Sequence, residues 1–143
     1  MKILGIDMGE KRIGLAISDS LEITAQGLKT IQINNPGEVC AKLMEVITET
    51  KAEKVVFGLP KNMNGTLGIQ AKKVQEYARK ITNLSKLPVD FEDERLSTVS
   101  AEQVLLLADQ SRRKRKKAID RISAVIILQS YLDRKSIERK REL

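Results

Sequence analysis

Apolar positions change period several times along the chain, and each change predicts an element. Residues 2–7 (KILGID) and 13–18 (IGLAIS) are short apolar runs on either side of the turn-prone Met8, Gly9, Glu10, Lys11 and Arg12, which predicts two strands. So short a connection joins antiparallel neighbours, because a parallel return takes about a dozen residues or more. Residues 27–33 (GLKTIQI) alternate Leu28, Thr30 and Gln32 with Lys29, Ile31 and Ile33, and complete a meander. The period then lengthens. Asn35, Pro36 and Glu38 read as an N-cap, a proline at the first helical position and a capping-box acid, with Val39, Leu43, Val46, Ile47 and Thr50 as the helical stripe behind them. Residues 54–59 (KVVFGL) predict a strand buried on both faces. After a loop from Pro60 to Gly65, Thr66 is placed to cap a second helix with Leu67, Ala71, Val74, Ala78 and Ile81 on one side. Residues 88–94 (PVDFEDE) resume strand character, and Ser97 or Thr98 opens a helix carrying Val99, Leu105, Leu106 and Leu107. A charged interruption over 109–117 precedes a last long helix over 118–133, and residues 134–143 read as a charged tail that frays.

This order predicts an α/β fold with a mixed five-stranded sheet, a three-stranded antiparallel meander plus two parallel strands, flanked by helices. The 143 residues fit one domain over 1–133 followed by the tail 134–143, with no internal repeat. No apolar stretch reaches the ~20 residues of a membrane span, and Ile3, Leu4, Gly5 and Ile6 follow the start without a signal-peptide pattern, so a cytoplasmic protein without a membrane partner is expected.

Charge and composition narrow the chemistry. Lys and Arg number 26 against 19 Asp and Glu, giving +7 and a pI near 9.6, which favours a polyanionic partner. The chain has no histidine. That removes imidazole bases, Ser-His and Cys-His nucleophile systems and the usual zinc sites. Cys40 is the single cysteine, which excludes an intrachain disulfide, and its neighbours Val39 and Leu43 make it a core filler. Any catalysis is left to carboxylates, lysines or a metal held by oxygen.

Asp7 closes a strand otherwise made of Ile3, Leu4 and Ile6, where an acid is expensive to bury unless paired or metal-bound; an Asx turn onto Met8 or Gly9 is the structural alternative. Glu92, Asp93 and Glu94 end a later strand. Alternation puts Val89, Phe91 and Asp93 on one face and Asp90, Glu92 and Glu94 on the other, without deciding between Asp93 and Glu94. Asp120 opens the last helix, with the small Ser123 and Ala124 three and four residues on; an acid in a first turn also suits the helix dipole. A first strand, a later strand end and a last helix together offer a carboxylate cage for Mg²⁺ or Mn²⁺. Two such ions ~3.5–4 Å apart can activate a water and stabilise the departing oxygen without histidine.

Six consecutive cations, Arg112, Arg113, Lys114, Arg115, Lys116 and Lys117, lie just upstream of Asp120 and suit phosphate-backbone contact, which holds a strand without reading its sequence; a solvated hinge between helices is the alternative. Lys11 and Arg12 follow Asp7 and can reach a phosphate from the other side. The loop from Gly58 to Thr66 stands where a parallel strand meets its helix, and Asn62 and Asn64 there are candidate donors to phosphate or ribose. With two Tyr, two Phe and no Trp, base stacking is expected to be minor.

Four segments, GIDMGEKRIGLAISD (5–19), FGLPKNMNGT (57–66), DERLSTVSAE (93–102) and KKAIDRISAVIILQSYLD (116–133), closely resemble the bacterial YqgF/RuvX family, discussed both as Holliday junction resolvases and as pre-16S ribosomal RNA nucleases. The resemblance covers nearly the whole chain and implies a ribonuclease H-like fold, with catalytic, metal-binding carboxylates at Asp7, at Glu94 of the DER motif and at Asp120. Arg95, the last residue of that motif, joins the expected substrate contacts. The family loop often has aspartate where this chain has Asn64, which leaves that position substrate contact rather than metal. The resemblance favours an rRNA precursor over branched DNA, with ribosomal assembly partners, and leaves monomer and homodimer open. Three rivals stand beside this nuclease. A DNA junction resolvase needs two opposed sites and hence a dimer. A non-cleaving ribosome-assembly factor should keep its function after Asp7→Asn. A sugar-kinase-type ATPase needs two domains, and usually has Thr or Ser where this chain has Glu10.

Overall fold

The computed structural model describes residues 1–62, 64–94 and 112–142, with side chains from residue 122 onward in the last segment. Arg95 and the helix expected from Ser97 or Thr98 with its leucines 105–107 lie outside the described residues. Six strands form one sheet: β1 (Ile3–Met8), β2 (Arg12–Ser18), β3 (Ala25–Gly27), β4 (Ile31–Gln32), β5 (Lys54–Leu59) and β6 (Val89–Asp93). The order is β3-β2-β1-β5-β6, with β4 also on β2. β1–β2 is antiparallel, as the short turn requires, whereas β1–β5 and β5–β6 are parallel. The expected third strand over 27–33 is split into β3 and β4. Gly27 faces Ala16 and Ile31 faces Ile13, so four residues on one side span three on β2. The extra residue is a bulge, which bends the strand and interrupts its ladder.

The helices are α1 (Val39–Thr50), α2 (Ile69–Ser85) and α3 (Arg112–Glu142). Asn35 caps a short 3-10 turn over Pro36–Glu38 by accepting from the Gly37 amide, and the Glu38 carboxylate faces Lys42 at 3.7 Å. Thr66 does not cap α2. Its hydroxyl donates to Asn64 Oδ1 at 2.7 Å and accepts from Asn62 Nδ2 at 3.0 Å, and the helix begins three residues after it, behind Gly68. Residues 112–117, expected as an interruption, are helical, and so are residues 134–142 of the expected tail.

Alternation on the strands sorts the core into two layers. Leu4, Ile6, Ile13, Leu15, Val55 and Phe57 pack with Val39, Leu43, Val46 and Ile47 of α1 and Ala71, Val74, Ala78 and Ile81 of α2; Cys40 packs at the margin of this layer. On the other face, Ile3, Ala16 and Val56 pack against Ala124, Leu128, Tyr131 and Leu132 of α3. Gly5 brings α3 close: a β-carbon there would stand 2.8 Å from Leu128 Cβ. Gln129 fastens α3 to the sheet edge, accepting from the Ala25 amide and donating to the Ile23 carbonyl. Among the described residues, no helix is long and apolar enough to cross a membrane.

Candidate active site

The α3 face ends in carboxylates on β1 and β6, the two strands that flank β5. On β1, the alternation that buries Ile6 and Met8 against α1 and α2 turns Asp7 to the opposite side, paired in register with Gly14. The turn after it is tight: the Gly9 amide donates to the Arg12 carbonyl at 2.8 Å, and a β-carbon on Gly9 would lie 2.7 Å from that oxygen. Gln70 of α2 donates to the Met8 carbonyl at 3.2 Å and braces the strand end. On β6, Val89 and Phe91 join the α1/α2 layer, so Asp90, Glu92 and Glu94 face α3. The Glu94 amide donates to the Leu59 carbonyl at 3.2 Å, which extends the β5–β6 ladder by one bond.

Asp7 and Glu94 meet across β5, and a side-chain hydrogen bond joins them. Burial first, then that bond and the charges of Asp7 and Asp93, push the Glu94 carboxyl up to about 10, so at neutral pH it keeps its proton and donates to Asp7. The gap between them is the α3 face of β5, occupied by Gly58. A β-carbon there would collide with Glu94 Oε1 and stand 2.7 Å from Ile127 Cδ1 of α3. Two carboxylates held this close need a proton or a cation between them.

Asp120 lies on α3, one turn before the buried Ala124; its side chain is outside the described set. Among the described residues, no three His, Cys, Asp or Glu side chains cluster as a metal site. Lys11 is exposed in the turn after Asp7, and Arg12 opens β2 half-buried. Asn62 and Asn64 are exposed in the β5–α2 loop. Asn64 Oδ1 accepts from both the amide and the hydroxyl of Thr66, so that oxygen shapes the loop around Gly65, which adopts a φ of 85°. Residues 112–117 form the described start of α3.

Sequence reasoning missed two features. Gly58 reads as loop-forming in the sequence, yet its role is to leave room between the acids; its placement two residues after Val56 on the α3 face was the available signal. The second is the pairing of Glu92 with Arg134 Nε at 3.2 Å and of Asp90 with the Tyr131 hydroxyl at 2.9 Å, invisible before β6 and α3 are brought together.

A family profile described as "RuvX: Holliday junction resolvase" matches residues 1–134. The chain is similar to a protein of Oceanobacillus iheyensis named "Putative pre-16S rRNA nuclease", 52% identical over 137 residues that cover 94% of this chain and 100% of the relative. A relative of the same name from Syntrophomonas wolfei is 53% identical over 133 residues, covering 93% and 94% of the two chains. Among solved structures, a Thermus thermophilus RuvC in complex with Holliday junction substrate aligns with a TM-score of 0.61 at 16% identity, over 95% of this chain and 96% of that one. The fowlpox virus Holliday junction resolvase aligns with a TM-score of 0.58 at 15% identity, over 93% and 99%. At such identities the structural likeness speaks to fold alone.

Proposed function

Because the chain belongs to the RuvX family, we propose that it is a divalent-metal-dependent nuclease of the bacterial cytoplasm that hydrolyses RNA phosphodiester bonds during 5′-end maturation of the 16S rRNA precursor. The observation that carries the reading is the pair formed by Asp7 and Glu94 at the C-terminal ends of parallel strands, with Glu94 pushed up to about 10. The preference for an rRNA precursor rests on the name carried by the relatives. Contacts with assembling ribosomal particles belong to the same reading.

The donor set suits a hard cation: oxygen ligands, partial burial, and two acids whose repulsion a divalent ion can relieve in place of the shared proton. Asp7 and Glu94, with Asp120 from α3, would hold Mg²⁺ or Mn²⁺, as one ion or two. Such ions supply Lewis-acid polarisation of the phosphoryl group and lower the pKa of the attacking water. The chain's own part is positional. The β1–β2 register fixes Asp7, Gly58 keeps the gap to Glu94 open, and Glu94 holds a proton that it must surrender when a cation arrives. Lys11, Arg12, Asn62 and Asn64 border the strand ends and contact the scissile phosphate or its neighbours. Arg95 and the run Arg112, Arg113, Lys114, Arg115, Lys116 and Lys117 supply affinity for the backbone.

Cleavage of precursor 16S 5′-end RNA, unstructured RNA and a four-way DNA junction by the parent and by Asp7→Asn, with Mg²⁺, Mn²⁺ or excess EDTA, tests this reading. The expected result is defined cleavage of the precursor, abolished by EDTA and reduced at least about a thousandfold by Asp7→Asn. Symmetric junction cleavage would move the substrate to DNA. Cleavage that survives EDTA or Asp7→Asn would remove the metal or the site.

A further inference from the structure

Among the described residues β6 pairs with β5 alone and lies at the edge of the sheet, yet it leads into Glu94. Its apolar residues Val89 and Phe91 enter the α1/α2 layer, and its backbone pairs with β5 as far as Asp93, continued by the Glu94 amide onto the Leu59 carbonyl. Its polar residues are held separately, from α3. Glu92 is 8% exposed, and Arg134 Nε lies 3.2 and 3.4 Å from its two carboxylate oxygens. Asp90 accepts from the Tyr131 hydroxyl at 2.9 Å, and Lys135 Nζ lies 3.9 Å from the same carboxylate oxygen. The Arg134 guanidinium also sits 5.3 Å from the centre of the Tyr131 ring, and Glu138 holds it from the next turn at 3.2 Å. Asp90, Glu92 and Glu94 occupy alternate positions on one face, so the ties of the first two to α3 add to the β5 ladder in setting the third.

We propose that Arg134 and Tyr131 are positioning residues for the carboxylate pair: by holding Glu92 and Asp90 against α3, they fix the end of β6 and with it the approach of Glu94 to Asp7. The kinetic consequence rests on the nuclease reading; the structural one does not. Groups that hydrogen-bond a metal-binding carboxylate directly are worth about tenfold to a hundredfold in metal affinity or activity, and Arg134 and Tyr131, which act through Glu92 and Asp90, stand one step further out.

The test uses the full chain as parent, Tyr131→Phe, Arg134→Met and Arg134→Lys. The readouts are hydrogen exchange at the Glu94 amide relative to the Ile6 amide, Mn²⁺ affinity by electron paramagnetic resonance, and kcat and KM on RNA. Tyr131→Phe removes one hydroxyl from a retained ring and decides the matter if Arg134→Met does not fold. Expected are faster exchange at Glu94 with Ile6 unchanged, Mn²⁺ affinity and kcat lowered by up to about tenfold, the lower end for a direct partner of a ligand, with KM held, and substantial recovery in Arg134→Lys. Parent-like exchange at Glu94 together with parent-like Mn²⁺ affinity in the folded variants would overturn the proposal. If the parent neither bound Mn²⁺ nor cut RNA while Tyr131→Phe still loosened Glu94, the nuclease reading would fall and the positioning role would stand.

Discussion

Gly58 carries no side chain because the space beside it is filled by Glu94 and Ile127. Both obstructing atoms are side-chain tips, but Ile127 is buried, so a methyl group there turns Glu94 away from Asp7 and also presses on the α3 layer. Gly58→Ala is therefore expected to lower kcat by about a hundredfold, the scale of a misplacement near 1 Å, and to cost about 1–3 kcal/mol of stability; a stability loss with parent-like kcat would show a packing defect alone. Glu94 itself gives a pH signature in the metal-free chain. Its folded pKa of about 10 lies above the ordinary glutamate value of 4.5, so between those values the folded chain holds a proton that the unfolded chain has released. Stability contributed by this group then falls as pH rises through that window and levels off above it. In chelator, Glu94→Gln should flatten the decline and be the more stable protein at pH 8, as urea titrations across pH would show. Sequence made Asp7 conspicuous because an acid ends an apolar strand. Alternation alone leaves Asp93 and Glu94 undivided and the DER motif implies Glu94; in the structure it is Glu94 that bonds Asp7. Sequence could not show that the acids share a proton, since that depends on how far apart β5 sets its neighbours.

Among the elements, α3 is the one whose seating the sheet dictates most narrowly. A β-carbon on Gly5 would stand 2.8 Å from Leu128 Cβ and 3.5 Å from the Ala124 carbonyl oxygen, atoms close to the helix backbone that cannot swing aside. Gly5→Ala must push α3 outward, and a loss of about 1–3 kcal/mol in denaturant unfolding is expected, as for other overpacked cores; an unchanged midpoint would mean that the helix seats elsewhere. Strands and helices with strong periodicity were readable because burial follows the pattern: β1, β2, β5, α1 and α2 fall within a few residues of expectation. The misreadings have physical causes. Residues 27–33 keep strand-like alternation through a bulge that only the pairing with β2 reveals. Thr66 has a capping side chain but spends it inside the loop on Asn62 and Asn64. The charged stretches at 112–117 and 134–142 read as breaks because a helix signal was sought in apolar residues, whereas α3 continues through charge, with Arg134 and Lys135 engaged by Glu92, Asp90 and Glu138.

At the scale of the molecule, a chain of charge +7 places a carboxylate pair at the strand ends and has its longest run of cations at the start of α3. Affinity for RNA should then come mainly from phosphate contact and fall with salt, by about 0.7 in the logarithmic slope for each phosphate neutralised on a single strand. The helical geometry bounds what the run can give. Six consecutive residues at 3.6 per turn encircle the helix, so only about three can face one strand at a time. Replacing all six, Arg112 to Lys117, with glutamine, which keeps helix propensity, should therefore reduce the salt slope by about 2 rather than the ~4 of a fully engaged extended arm. Affinity should drop alike for all RNA sequences, while kcat at saturating substrate is retained, because the run holds the backbone and does not touch the reacting atoms. A slope reduction near 4 would mean that the segment unwinds on the substrate, and an unchanged slope would make it a solvated helix face, leaving Lys11, Arg12 and the β5–α2 loop to carry the contact.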